Sequence, residues 1–194
     1  SHQCCEDFAL MRTVPGMVVM CPADDVEARK MVEAAYEYVG PVYMRFGRSA
    51  TPVFHDENYT FKIGKGEMIQ DGKDVAIIAT GIMVPEAIEA GKKLAEEGIS
   101  AMVINMATIK PIDEEMVLNA AKKCGKIVTV EEHSIIGGLG EAVCAVLSEK
   151  HPTPVKRIGV NDEFGHSGPA GELLKAFGLS SDNIVVQTKK LLGK

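Results

Sequence analysis

Three sets of side chains in this 194-residue chain have the types and positions to do chemistry. Glu131, Glu132 and His133 are consecutive; carboxylates beside an imidazole can ligate a metal or move protons as acid and base. Neighbouring strand residues point to opposite faces, however, so three in a row do not converge on one ion, and a contact at a sheet edge is the stronger reading. His166, between Gly165 and Ser167, is loop-borne and is read as a surface or contact residue. His2 and Arg45 form the second set. An imidazole can hold or shuttle a proton, and a strand-end guanidinium can take a phosphate by two parallel hydrogen bonds. On residue chemistry alone the plainer reading stands ahead: His2 as an incidental terminal residue, and Arg45 or Arg48 in an ordinary surface ion pair. Third, Gly137, Gly138 and Gly140 follow an apolar strand as a dinucleotide loop would. Val143 fills the place where a third small residue is needed, and no clear acidic candidate stands on a strand end about 20 residues on, so a tight turn feeding a helix accounts for them better.

These groups need elements to position them. Residues 126–146 read as strand, turn and helix. Ile127, Val128 and Val130 form the strand, the three polar residues 131–133 stop it, and Leu139, Ala142, Val143 and Val146 give the next helix its buried face. Upstream, 6–12 suggests a short helix and 17–21 a strand. Asp24 with Glu27 is a capping-box pattern opening a helix buried through Ala28, Met31, Val32, Ala35 and Val39. Strand 42–44 then delivers Arg45. Periodicity disappears over 46–63. Beyond it come an edge strand at 65–69, buried strands at 75–79 and 101–104, helices at 84–97 and from 113, a strand at 155–160, a glycine-rich loop at 162–169, and helices at 170–177 and 181–192. Alternating strands and helices require mostly parallel pairing, hence an α/β fold built as a three-layer α/β/α sandwich. The expected domains are 1–46 as an incomplete unit, 47–64 as linker and 65–194 as the sandwich.

Composition narrows the function further. With 21 Lys and Arg scattered among 27 acids and a net charge of −6, nucleic acid is not an expected partner. No apolar run reaches the roughly 20 residues of a membrane span, and no signal peptide opens the chain, so a cytoplasmic location is expected. The 5 cysteines show no C-x-x-C spacing, and no G-x-S-x-G or H-E-x-x-H occurs. His55 and His151 have no informative sequence context.

With these residues placed, the chain resembles the carboxyl-terminal part of the transketolase family. The resemblance rests on Ser1-His2-Gln3 with EDFALMRTVPGMVVMCPAD, on PVYMRFGR, and on DVAIIATG, IKPID, TVEEHSIIGGLGEAV and RIGVNDEFGHSG. It is nearest to the second subunit of split bacterial transketolases, with deoxyxylulose-phosphate synthase a relative. It implies a carboxyl-terminal sandwich preceded by the remnant of a pyrimidine-binding domain, and transfer of a two-carbon ketol unit between sugar phosphates on thiamine diphosphate with Mg2+, the chemistry of the pentose phosphate reactions. His2 would lie beside the reacting oxygens, Arg45 would hold the sugar phosphate, and Glu131, Glu132, His133 and His166 would serve contacts. The family's diphosphate-binding domain and activating glutamate do not occur in this stretch. The chain alone is therefore expected to bind no cofactor, to be inactive, and to need an amino-terminal part or subunit within a homodimeric enzyme. A 2-oxoacid dehydrogenase β subunit and a non-catalytic assembly domain are the other readings.

Overall fold

The computed structural model describes residues 4–194, so His2 lies outside the described residues. In chain order it contains α1 (Asp7–Thr13), β1 (Val18–Met20), α2 (Asp25–Glu37), β2 (Val42–Met44), β3 (Glu67–Gln70), β4 (Val75–Ala79), α3 (Met83–Glu96) and β5 (Ala101–Asn105). Then follow β6 (Thr108–Lys110), α4 (Glu114–Cys124), β7 (Ile127–Ser134), α5 (Leu139–Lys150), β8 (Val155–Val160), α6 (Ala170–Ala176) and α7 (Ser181–Leu192).

Five strands form the larger sheet in the order β3-β5-β4-β7-β8, parallel except where β3 pairs antiparallel with β5. Because side chains alternate along each strand, every buried strand feeds two cores. Val75, Ile77, Val103 and Val128 pack beneath α3 and α7 through Leu94 and Ile184. Ala76, Ile78, Ile104 and Ile127 pack on the opposite face against α4 and α5 through Val117 and Val143. The result is the α/β/α sandwich, with helices on both faces of a mostly parallel sheet. No helix among the described residues is long and apolar enough to cross a membrane.

A second, three-stranded sheet has the order β2-β1-β6. The first two strands pair in parallel, while β6 runs antiparallel to β1 with Val19 opposite Lys110. Phe8, Val19, Cys21 and Ile109 pack on one side of it with Ala142 of α5, and Val18, Met20, Met31 and Ala107 on the other. Strand β6 has no counterpart in the sequence reading, since three residues ending in lysine carry no periodic signal. Another correction concerns α2. Asp24 does cap it, its carboxylate accepting from the Glu27 N–H at 2.9 Å. Met31 is buried as expected, but Val32 is 48% and Val39 97% exposed. The buried face of α2 is instead carried by Met31 and the carboxylate of Glu27.

The small sheet sits at the carboxyl ends of β4, β5 and β7. Gly81, just after β4, has a positive φ of 57°, and a Cβ there would meet Cys21 Sγ at 2.5 Å. Residues 47–64 carry no helix or strand, yet they are tied down. The Asp24 carboxylate accepts from the N–H groups of Phe54 and His55 at 3.0 and 2.9 Å. The His55 ring reaches Glu67 at 2.7 Å and Asp24 at 3.0 Å, between the rings of Phe54 and Tyr59. Tyr59 donates to Glu27 at 2.6 Å, and the same carboxylate accepts from Asn105 at 2.9 Å. Burial opposes the charge on His55, but its hydrogen bonds to Glu67 and Asp24 outweigh that and push it up to about 9.

Candidate functional site

The parallel pairing of β1 and β2 extends one residue past β2, because the Arg45 N–H donates to Met20 O at 2.9 Å. Arg45 is thereby presented into a cleft of about 910 Å³. Arg48, Ile82, Glu132, His166 and Phe177 line the same cleft. A Cβ on Gly47 would meet the Ile82 side chain at 2.8 Å, so a larger residue there would have to push Ile82 aside. The cleft therefore gathers residues from the small sheet, from the ends of β4 and β7, and from the loop before α6.

Arg45 does not offer a free fork. Its Nη1 donates to Glu132 O and its Nη2 to Cys4 O at 3.2 Å. The Asp7 carboxylate lies 3.4 Å from Nε and the Glu132 carboxylate 3.6 Å from Nη2. Its guanidinium also rests over the Phe8 ring, 4.9 Å from the centroid. Burial works against the charge, but the acids around it outweigh that and hold its pKa above the usual arginine value. Tyr43 donates to the same Asp7 carboxylate at 2.8 Å. Burial, then Asp7, pushes the Tyr43 phenol up to about 12. Arg48, by contrast, is exposed and pairs with no carboxylate among the described residues. It is the cation in the cleft with donors to spare. His166 is exposed, its ring edge-on to Phe177 at 5.3 Å.

Strand β7 does not stop at Glu131; the polar triplet belongs to it. Glu131 and His133 are fully buried, while Glu132 faces the cleft. Glu131 and His133 thus make their contacts within the chain. The Glu131 carboxylate turns toward α5 and accepts from the N–H groups of Leu139 and Gly140 at 2.6 and 2.8 Å. It occupies the helix N-terminus where a phosphate would otherwise bind. Burial pushes Glu131 up to about 7 against the pull of those two N–H groups. The glycine loop follows from this cap: a Cβ on Gly138 would lie 1.9 Å from Glu131 Oε2, and one on Gly137 2.4 Å from Ala9 Cβ. His133 stacks on Phe8 at 4.9 Å. Its Nδ1 reaches Ser134 O at 2.7 Å, and its Nε2 accepts from Ala9 N–H at 3.4 Å. Burial lowers its pKa, in keeping with a neutral ring satisfied at both nitrogens.

A family model described as "Transketolase, C-terminal domain" matches residues 64–184, and one described as "Transketolase, pyrimidine binding domain" matches residues 1–53. The chain belongs to the transketolase family. Among curated relatives of this transketolase chain, a putative transketolase C-terminal section of Methanocaldococcus jannaschii is 50% identical, covering 95% of the chain and 58% of the relative. A 6-deoxy-6-sulfo-D-fructose transketolase subunit of a Clostridium species is 44% identical over 95% of the chain and 58% of its own length. A 1-deoxy-D-xylulose-5-phosphate synthase of Geobacter sulfurreducens is 40% identical over 99% of the chain and 31% of its own length. A solved split gene transketolase, described as an inactive beta4 tetramer, matches with a TM-score of 0.94 at 47% identity, covering 99% of this chain and 62% of that one. The transketolase chain thus spans just over half the length of its transketolase relatives.

Proposed function

We propose that this chain is the carboxyl-terminal part of a split transketolase that moves a two-carbon ketol unit between sugar phosphates, and that it acts only with an amino-terminal subunit. The observation that supports this best is the cleft: cations Arg45 and Arg48 stand at the seam between the pyrimidine-domain remnant and the sandwich, in a chain whose relatives are named as transketolase subunits. In this reading residues 1–46 are the remnant, 47–64 the linker and 65–194 the carboxyl-terminal domain. His2 handles a proton beside the substrate oxygens. Arg45 gives the cleft floor a fixed positive charge, and Arg48 grips the sugar phosphate directly.

Thiamine diphosphate, when bound, supplies the carbanion-stabilising chemistry of such an enzyme. The described residues do not fit it. Among them no group of three His, Cys, Asp or Glu could ligate the accompanying Mg2+, and the N-terminus of α5 is already taken by Glu131. We therefore assign the cofactor to the partner subunit, with this chain closing the site and carrying the contacts of a homodimeric assembly, Glu132 and His166 among them.

Mixing the protein with its amino-terminal subunit and following ketol transfer tests the reading. Activity is expected from the mixture alone, and Arg48→Ala should raise KM for a phosphorylated acceptor roughly tenfold or more with little change for an unphosphorylated one. Tight binding of thiamine diphosphate and Mg2+ by this chain alone, read by calorimetry, would sink it.

A further inference from the structure

The residues around Arg45 form a clamp on one short segment. Cys4 is held by its carbonyl to Arg45, and Cys5 by its carbonyl, which accepts from the Ser134 N–H at 2.7 Å. Asp7 is held by Tyr43 and Arg45, Phe8 by the guanidinium on its ring and by the stacked His133, and Ala9 by the His133 ring nitrogen. Two strand ends supply all of these partners: Tyr43 and Arg45 at β2, and Glu132 to Ser134 at β7. Arg45 bridges the strand end and the helix, since its Nη1 and Nη2 face Glu132 of β7 while its Nε faces Asp7 of α1.

From this geometry we infer that Arg45, braced by Asp7 and Glu132, is a positioning residue: it fixes the backbone of Cys4–Phe8 against the ends of β2 and β7. The inference rests on the split-transketolase reading, in which His2 stands two residues upstream of this clamp. It gives Arg45 a different role from a phosphate ligand, for which Arg48 has the free donors. A guanidinium with every nitrogen engaged would have to abandon the segment to bind an anion, and the segment would then lose its register.

The roles separate kinetically and physically. In the intact protein assembled with its amino-terminal subunit, Arg45→Ala and the milder Asp7→Asn should lower kcat tenfold or more, with KM for the phosphorylated acceptor unchanged within about twofold. Arg48→Ala should show the opposite split. Hydrogen exchange supplies a readout independent of activity: both clamp variants should lose protection at Ser134 and Ala9, whose N–H groups donate into the clamp, and keep it in β4 and β5. If Arg45→Ala fails to fold, Asp7→Asn carries both measurements. A rise in KM for the phosphorylated acceptor with kcat kept would make Arg45 the phosphate ligand and overturn the clamp, and so would unchanged kinetics or unchanged exchange. Should the wild-type assembly show no ketol transfer at all, the functional reading fails by itself, and exchange at Ser134 and Ala9 still decides whether the clamp exists.

Discussion

Two side chains, Glu131 and His55, tie stability to pH in the same direction over different windows. Glu131 is pushed up to about 7 from an ordinary 4.5. The folded chain therefore holds its proton more tightly than the unfolded one, so the stabilisation is complete below about pH 4.5 and is lost as the pH climbs through about 7. The loss is on the order of 3 kcal/mol. Glu131→Gln keeps one acceptor oxygen at the helix end and removes the titration, so between pH 5 and 6.5, below the His55 window, its urea-unfolding free energy should fall less than that of the wild type. Glu131→Ala leaves both N–H groups buried without a partner and should cost about 2–4 kcal/mol at pH 5, less as the pH rises through 7 and the wild type itself loses stability. His55, raised to about 9 from an ordinary 6.5, stabilises fully below about pH 6.5 and loses that contribution as the pH rises through 9. Nuclear magnetic resonance titration of its ring should find it still protonated at pH 8. A midpoint near 6.5 would contradict the carboxylate pair around it.

Helix α5 shows how a cap can come from outside its own sequence. Its N-cap residue is Gly138, with no side chain to offer, and Glu131 in β7 supplies the acceptors. Gly138→Ala should therefore cost about 2–4 kcal/mol by driving a methyl into that carboxylate. Gly125→Ala, at the left-handed end of α4 with open space around it, should cost only about 1 kcal/mol from its φ of 68°. Thermal melts of the two variants compare them directly. The same feature marks the limit of what the sequence reveals. Helices α3, α4, α5 and α7 and strands β4, β5 and β8 were legible because each repeats its apolar residues at the period of its own geometry. The end of β7 was not, because a buried carboxylate and a buried imidazole look like a surface turn until the N–H groups that satisfy them are known. The exposed Val32 and Val39 misled for the opposite reason: periodicity reports that a face is apolar, not what covers it. His55 had no neighbours in sequence to give it meaning; its partners, Asp24 and Glu67, come from two different units of the fold. Arg45 was correctly placed at a strand end, but its full set of partners comes from α1 and β7, far away along the chain.

At the scale of the whole molecule, residues 47–64 behave as a strap and not as a free tether, since Asp24, Glu27 and Glu67 hold Phe54, His55 and Tyr59 from both sides. Raising the pH from 7 to 10 should release His55, so the protection factors of the Phe54 and His55 amides, taken against the faster intrinsic exchange at high pH, ought to fall well before global unfolding; equal protection factors at the two pH values would show that the strap does not depend on the imidazolium. Strand β6 adds a further consequence. The backbone leaves the small sheet after β2, builds β3, β4, α3 and β5 of the large one, and returns to lay β6 beside β1. The two sheets are thus interlaced, and no single cut separates them. A protein trimmed at the strap would strand β6 without its neighbour and leave β1 with a raw hydrogen-bonding edge, an invitation to self-association. Any engineered dissection of this fold has to leave β1, β2 and β6 together.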